Sequence, residues 1–202
     1  EMVVDDIRRT GADALAVKVD CNDDAEVALL GIHPWMHRKI DALVLNHGRY
    51  ERVSAEDMTI VGLRTTMKTN FEGAVAVWKA VQPHLTASAR IVVVGSQLGT
   101  RGSPHGADYS ASKAALAMWA RSLAQAVGPQ GKRVNILAPG FVDTAILSGD
   151  SKQKRAEREQ LVPLKRVATP EDMAGTISFL IGPDSSYITG AIIHVNGGLY
   201  LP

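Results

Sequence analysis

The 202 residues read as an α/β protein built on a doubly wound parallel sheet. Three observations predict that class. Short apolar runs without polar alternation, at Asp41–Leu45, Arg90–Val94 and Val134–Ala138, have the form of strands covered on both faces. Longer segments with helical periodicity, Val61–Val81 and Tyr109–Val127, separate them. Glycine and proline mark most of the changes between the two patterns. Strands alternating with helices in this way argue crossover units and a parallel sheet.

Composition narrows the class of partners. Apolar residues make up 46% of the chain and the formal net charge is +1, as in an ordinary globular protein. No charge excess calls for nucleic acid or an anionic membrane. No apolar run approaches the roughly 18 residues of a membrane span. The single cysteine, Cys21, excludes an internal disulfide framework and reads as a small buried residue at a strand end. The expectation is one domain over residues 1–202, cytoplasmic, with a small molecule as its ligand.

Taken in order, the chain starts with an amphipathic stretch, Glu1–Arg9, stopped by Gly11. Ala14–Val19 reads as a strand that ends at Asp20. Asn22 or Asp23 then caps a helix beginning at Asp24. Gly31 and Pro34 break that helix, since proline removes a donor and clashes with the preceding turn. His33 and His37 have the spacing of a metal pair, but nothing nearby supplies a third ligand, so no metal site is expected.

Asp41–Leu45 is the next strand. Asn46-His47-Gly48 follows at its C-terminal end, where open α/β sheets bind ligands. Ala55–Met58 opens a short helix and Val61–Val81 a long one. Asn70 lies in the middle of that helix, where an asparagine normally faces solvent or costs helix stability. Arg90–Val94 is a strand leading into a loop whose glycines, Gly95, Gly99 and Gly102, have the wrong spacing for a dinucleotide turn. They read as a flexible substrate-side loop.

After the helix Tyr109–Val127 come a turn at Gly128–Gly131, a strand at Val134–Ala138 and the pair Pro139-Gly140. Ser148–Gln160 is highly charged and has no apolar stripe, so high mobility is expected there. It reads either as a solvated helix face or as a lid over a substrate. Thr169-Pro170 starts a helix to about Ile181, with threonine as cap and proline in the first position. Ala191–Val195 is the last strand.

The chemistry gathers around Gly95–Lys113. Tyr109 and Lys113 are four apart, one turn of helix, and therefore share a face. Ser96 ends the preceding strand. A free tyrosine has a pKa of about 10 and is a poor base at neutral pH. A nearby ammonium favours the phenolate and is expected to lower that value. The phenol can then exchange a proton with an alcohol or a carbonyl, while the serine hydroxyl holds the substrate oxygen. This equips a site for moving a hydride at a carbinol carbon, and the hydride carrier has to be a cofactor.

Tyr109-Ser-Ala-Ser-Lys113 with Ser96 upstream resembles the Tyr-x-x-x-Lys signature of the short-chain dehydrogenase/reductase family. Leu45-Asn46-His47-Gly48 resembles the family's Asn-Asn-Ala-Gly motif, although leucine and histidine replace an asparagine and the alanine. Asn70 matches the asparagine of its catalytic tetrad, and Pro139-Gly140-Phe-Val-Asp-Thr144 its Pro-Gly-x-x-x-Thr segment. Thr189-Gly190 and Val195-Asn-Gly-Gly198 are similar to its last-strand signature. The likeness spans essentially the whole chain.

That resemblance implies an oxidoreductase using NAD or NADP, with NADP slightly favoured, on an alcohol or ketone. It implies a tetrad of Asn70, Ser96, Tyr109 and Lys113, in which the asparagine's main-chain carbonyl holds a relay water. It places Asp20 at the adenine and Asn46 and Gly48 near the ribose. His47 either touches the adenosine ribose or sits half-exposed in its turn. Tyr109 and Lys113 also meet the cofactor, and Pro139, Gly140, Val142 and Thr144 line its nicotinamide side. Leu98, His105, Leu147 and Leu161 are expected at a partly apolar substrate pocket. The helices Val61–Val81 and Tyr109–Val127 are expected to form a homodimer or homotetramer interface. The family opens with a strand, a glycine-rich turn, a helix and a second strand; this N-terminal portion is missing here, and a protein longer than the given sequence is expected. The alternative is a truncated, catalytically inactive relative with a structural or regulatory role.

Overall fold

The computed structural model describes residues 2–202. Its sheet has four parallel strands in chain order: β1 (Ile40–Leu45), β2 (Leu85–Val94), β3 (Arg133–Pro139) and β4 (Ile192–Val195). The helices are α1 (Met2–Arg9), α2 (Asp24–Gly31), α3 (Ile60–Met67), α4 (Gly73–Val81), the single turn α5 (Leu98–Arg101), α6 (Ala107–Val127), α7 (Lys152–Leu161) and α8 (Pro170–Ile181). Between α3 and α4 the helix widens into a π-turn, Lys68–Glu72.

Alternation along β2 and β3 sorts the core into two layers. Ile91, Val93 and Ile136 point to one face, where Trp78 of α4 and Leu116 and Ala120 of α6 cover them. Val92 and Leu137 point to the other, against Met173 and Leu180 of α8. Helices on both faces make the sheet doubly wound, as expected, and explain why these strands are continuously apolar. The crossover through α8 is tied to β3 by Arg133, whose Nη1 donates to Ser185 O at 2.6 Å and whose Nη2 donates to Gly182 O at 3.2 Å.

Local chemistry sets the element ends. Asp23 caps α2 by accepting from the amides of Ala25 and Glu26. Gly31 ends that helix, and Pro34–His37 continues as a 3₁₀ turn, so the expected break is present. Thr169 and Asp172 form a capping box at the start of α8.

Three expectations need correction. Ala14–Val19 is not a strand; it runs as irregular chain, with Leu15 and Val17 exposed, because it pairs with no other strand among the described residues. Ala55–Met58 is a turn rather than a helix. There the Ser54 hydroxyl donates to the Asp57 carboxylate at 2.6 Å and accepts from its amide at 3.1 Å, a local alternative to helical bonding. β1 is not covered on both faces: it is an edge of the described sheet, and Val44 is 39% exposed.

Candidate active site

The C-terminal ends of β2 and β3 stay in register beyond the strands. Gly95 N donates to Leu137 O at 2.8 Å and Gln97 N to Pro139 O at 3.0 Å. This holds Ser96 beside Pro139 and Gly140. Gly140 must be glycine, because a Cβ there would come within 2.9 Å of Asn196 Cα. Beyond Ser96 the chain forms α5, and Gly99 lets it press against α6: a Cβ on Gly99 would meet the Lys113 carbonyl carbon at 2.9 Å.

The helix α6 then carries Tyr109 and Lys113 on the face toward the strand ends. The Ser96 side chain faces the Tyr109 phenol closely enough to favour its ionised form. Lys113, only 3% exposed, donates to Val94 O at 2.9 Å, and its Nζ lies 5.8 Å from the centre of the Tyr109 ring. Ser96, Tyr109 and Lys113, brought from two elements, line one cleft of about 340 Å³.

Asn70 stands behind this trio rather than in the cleft. It is fully buried in the π-turn. Its Oδ1 accepts from Arg49 N at 2.7 Å, and its Nδ2 donates to Arg49 O and Ser112 Oγ, both at 3.0 Å. Asn70 thus joins the loop after β1 to the helix of Tyr109. A second polar rung lies one turn earlier, where the Thr66 hydroxyl donates to the buried Asp108 carboxylate at 2.6 Å.

Burial controls the electrostatics. It lowers the Lys113 ammonium to about 8. It raises the Tyr109 phenol above its usual value, partly offset by the influence of the Ser96 side chain. The expected lowering of the tyrosine by Lys113 is not found here: burial raises the phenol, and the ammonium is turned to a main-chain carbonyl. His47 is held below its usual value by burial and by the Lys113 charge.

The cleft takes in most of the residues expected at a cofactor. Asn46, Gly48, Pro139, Gly140, Val142 and Thr144 line it with Tyr109 and Lys113. Asp20 and His47 do not. Asp20 is exposed and accepts from both nitrogens of Asn22. His47 is half-buried, and a Cβ at Gly73 would sit 3.3 Å from its Nε2. Of the expected pocket liners, Leu98 and Leu147 belong to the cleft, while His105 and Leu161 lie outside it and are exposed.

Three polar cleft residues escaped the sequence reading, along with apolar wall residues such as Ile146 and Met173. Tyr50 lies edge-on to Tyr109 and donates to His105 O at 2.8 Å. Gln97 is buried with its Oε1 unpartnered. Arg158 reaches in from α7, so the charged run contributes to the cleft as well as to the solvated surface. Nothing in its composition marks which arginine turns inward.

Comparison with known proteins places this geometry. A family model described as enoyl-(acyl carrier protein) reductase matches residues 1–200. The chain is 34% identical over 196 residues to a cis-4-hydroxycyclohexanecarboxylate dehydrogenase of Sinomonas cyclohexanicum, covering 95% of this chain and 79% of that one. The chain belongs to the short-chain dehydrogenase/reductase family. It is also 36% identical over 213 residues to a cyclohexanol dehydrogenase of Rhodococcus sp. strain TK6, covering 98% and 77% of the two chains. Among solved structures of the family, it resembles a short chain dehydrogenase from Burkholderia cenocepacia J2315 in complex with NADP. That likeness has a TM-score of 0.90, 30% identity, and coverage of 98% and 81%.

The residues present fit the riboside end of the dinucleotide such enzymes use. An ammonium has three N–H groups, and among the described residues Lys113 donates to Val94 O alone, leaving two for ribose oxygens. Gly48 keeps that side clear, since a Cβ there would lie 3.3 Å from Lys113 Nζ.

Proposed function

We propose that this chain catalyses reversible hydride transfer between NAD or NADP and a secondary alcohol or its ketone, with Tyr109 as the acid/base. The observation that carries the reading is the convergence of Ser96, Tyr109 and Lys113 on one cleft, with the Ser96 side chain acting on the Tyr109 phenol. The nicotinamide ring, when bound, supplies or accepts the hydride. Lys113 and Asn46 would hold its ribose, and Pro139, Gly140, Val142 and Thr144 would line the ring's side of the cleft.

Ser96 holds the substrate oxygen by its hydroxyl and keeps it beside the phenol. In the reducing direction the Tyr109 O–H donates its proton to the carbonyl oxygen as the carbon becomes tetrahedral. Burial suits the phenol to this direction, because it stays protonated at neutral pH. In the oxidising direction the phenol must give up its proton first, and the Lys113 ammonium stabilises the resulting negative charge. Asn70 keeps α6 in place through Ser112, and its main-chain carbonyl holds the relay water; the π-turn, which interrupts the regular helical ladder there, supports that role.

The cleft wall, with Phe141, Ile146, Met173 and Ile177, favours an alicyclic or aliphatic substrate. Relatives that act on cyclohexanol and on a hydroxycyclohexanecarboxylate support the alicyclic class. The deciding experiment is Tyr109→Phe. It should abolish turnover of such alcohols and leave nicotinamide fluorescence titration nearly unchanged; retained turnover refutes the assignment.

We also infer a homodimer or homotetramer formed through α3, α4 and α6. Ile60, Val61 and Met118 are exposed on these helices, and Phe71, Val75 and Trp119 line a shallow groove beside α4. Light scattering of the purified protein tests this, a monomer being the refuting result.

A further inference from the structure

Arg158 enters the cleft from α7, an element that carries none of Ser96, Tyr109 or Lys113. Its setting is built rather than incidental. Nε donates to Asp150 Oδ2 at 2.5 Å and Nη2 to Oδ1 at 3.1 Å, a two-point grip that fixes the guanidinium plane. The guanidinium carbon lies 4.5 Å from the centre of the Phe141 ring. The two side chains of the pair are only 14% and 20% exposed. Thus the arginine is held on two sides by groups of its own chain.

Its remaining nitrogen is different. Nη1 makes no hydrogen bond to any described residue, and it is not among the buried polar atoms that lack a partner. It is therefore not sealed within the protein, and Arg158 is among the residues that line the cleft. Charge in the surroundings also favours an anion. Asp150 faces Arg158, Lys154 and Arg52 together. Glu157 pairs with Lys154, whereas Arg52 forms no ion pair among the described residues, so one cation is left in excess. The other side chains at this part of the wall, Phe141, Ile146, Leu147, Met173 and Ile177, are apolar. An anionic group entering such surroundings is stable only where a cation meets it.

We infer that Arg158 selects substrates bearing a carboxylate: hydroxy or keto carboxylic acids with an apolar ring or chain between the two groups. The inference rests on the proposed dehydrogenase reading and adds the chemical class of its substrate. Asp150 and Phe141 orient the guanidinium, and Nη1 receives the carboxylate. The hydroxyl of the same molecule is then left for Ser96 and Tyr109.

The test compares matched pairs, cyclohexanol with cis-4-hydroxycyclohexanecarboxylate and octan-2-ol with 7-hydroxyoctanoate, each with NAD and with NADP. The quantity read is the ratio of kcat/KM for acid over neutral alcohol. We expect a ratio well above one for the wild type, falling about 10- to 100-fold in Arg158→Met, as for loss of a charged hydrogen bond. Most of the fall should lie in KM of the acid, and Arg158→Lys should restore part of the ratio. Arg158→Gln, which keeps a hydrogen-bond donor for Asp150 but not the charge, should lower the ratio likewise; it provides a second reading if the methionine variant does not fold. A wild-type ratio at or below one, or equal ratios in wild type and Arg158→Met, overturns the inference while leaving the dehydrogenase reading intact. Turnover of none of the four alcohols with either cofactor overturns that reading itself.

Discussion

Tyr50 meets Tyr109 edge to face, with ring centres 5.0 Å apart and planes at 78°. Its hydroxyl bonds to His105 O, so one side chain touches the phenol at the centre of the proposed chemistry and ties down the loop beyond α5. Gly106 makes room for it: a Cβ there would come within 2.8 Å of the Tyr50 ring. Tyr50→Phe keeps the ring and loses the tie. It should lower kcat/KM by roughly threefold to tenfold, the scale of one neutral hydrogen bond. Tyr50→Ala, which also removes the ring contact, should cost more, and steady-state kinetics on both variants checks the order.

Lys113 ties stability to pH. Burial lowers its ammonium to about 8 from 10.5. Between those values the unfolded chain binds more protons than the folded one, so folding is favoured as pH rises through that window. Below it the folded state carries a buried charge at a cost of about 3 kcal/mol. Lys113→Met should therefore lose turnover yet be the more stable protein at pH 7, by on the order of 2–3 kcal/mol. The gap should close toward pH 10. Urea unfolding of both proteins at pH 7 and pH 9.5 measures it.

The raised phenol of Tyr109 gives the activity a direction in pH. Alcohol oxidation needs the deprotonated phenol and should climb toward alkaline pH, while ketone reduction needs the proton and should fall there. The influence of the Ser96 side chain lowers the phenol's pKa. Ser96→Ala removes it, so the rising limb of oxidation should move to higher pH as the rate drops. A limb that moves to lower pH, or does not move, contradicts the role given to Ser96.

How legible was this in the sequence? Tyr109 and Lys113 could be read because helical spacing alone places them on one face, and Ser96 because an apolar run must end at the rim of a parallel sheet. β2 and β3 were legible for the same reason: burial on both faces leaves an unbroken apolar record. Ala14–Val19 carries a similar record and is no strand, since pairing depends on a neighbour that a local pattern does not contain. Arg158 was hidden among four basic residues of α7, and only packing against Phe141 and Asp150 singles it out. The sign of the Tyr109 shift was misread for a related reason. Charge pairs can be counted along a chain, but desolvation depends on what covers the group.

Asn70 offers a sharper test of the polar frame. Its truncation to alanine leaves Arg49 N and O and Ser112 Oγ without their partner. Buried groups left unsatisfied cost about 1–3 kcal/mol each, so Asn70→Ala should destabilise by several kcal/mol and loosen the loop after β1. Thermal unfolding gives the first quantity and hydrogen exchange at the Arg49 amide the second.

Gly99→Ala probes the contact between α5 and α6. The new methyl meets main-chain atoms of Lys113 and Ala114 at 2.9–3.0 Å, and backbone cannot move aside as a flexible side chain can. The helical turn after Ser96 must back away, and turnover should fall more than stability does. Comparing kcat with the melting temperature separates the two losses.

The widened turn at Lys68–Glu72 carries one residue more than a regular helix needs. Deleting a single residue from it would let α3 run unbroken into α4, with better backbone bonds than the protein now has. The same deletion would swing residues 66–70 by about 100° relative to those after 73, the angle of one residue in a 3.6-residue turn. Asn70 would leave Arg49 and Ser112, and Thr66 would leave Asp108. Selection for the sturdiest helix and selection for a working site therefore pull against each other at this point. The surplus residue keeps the second, and shortening the chain by one here would trade a more regular helix for buried groups without partners.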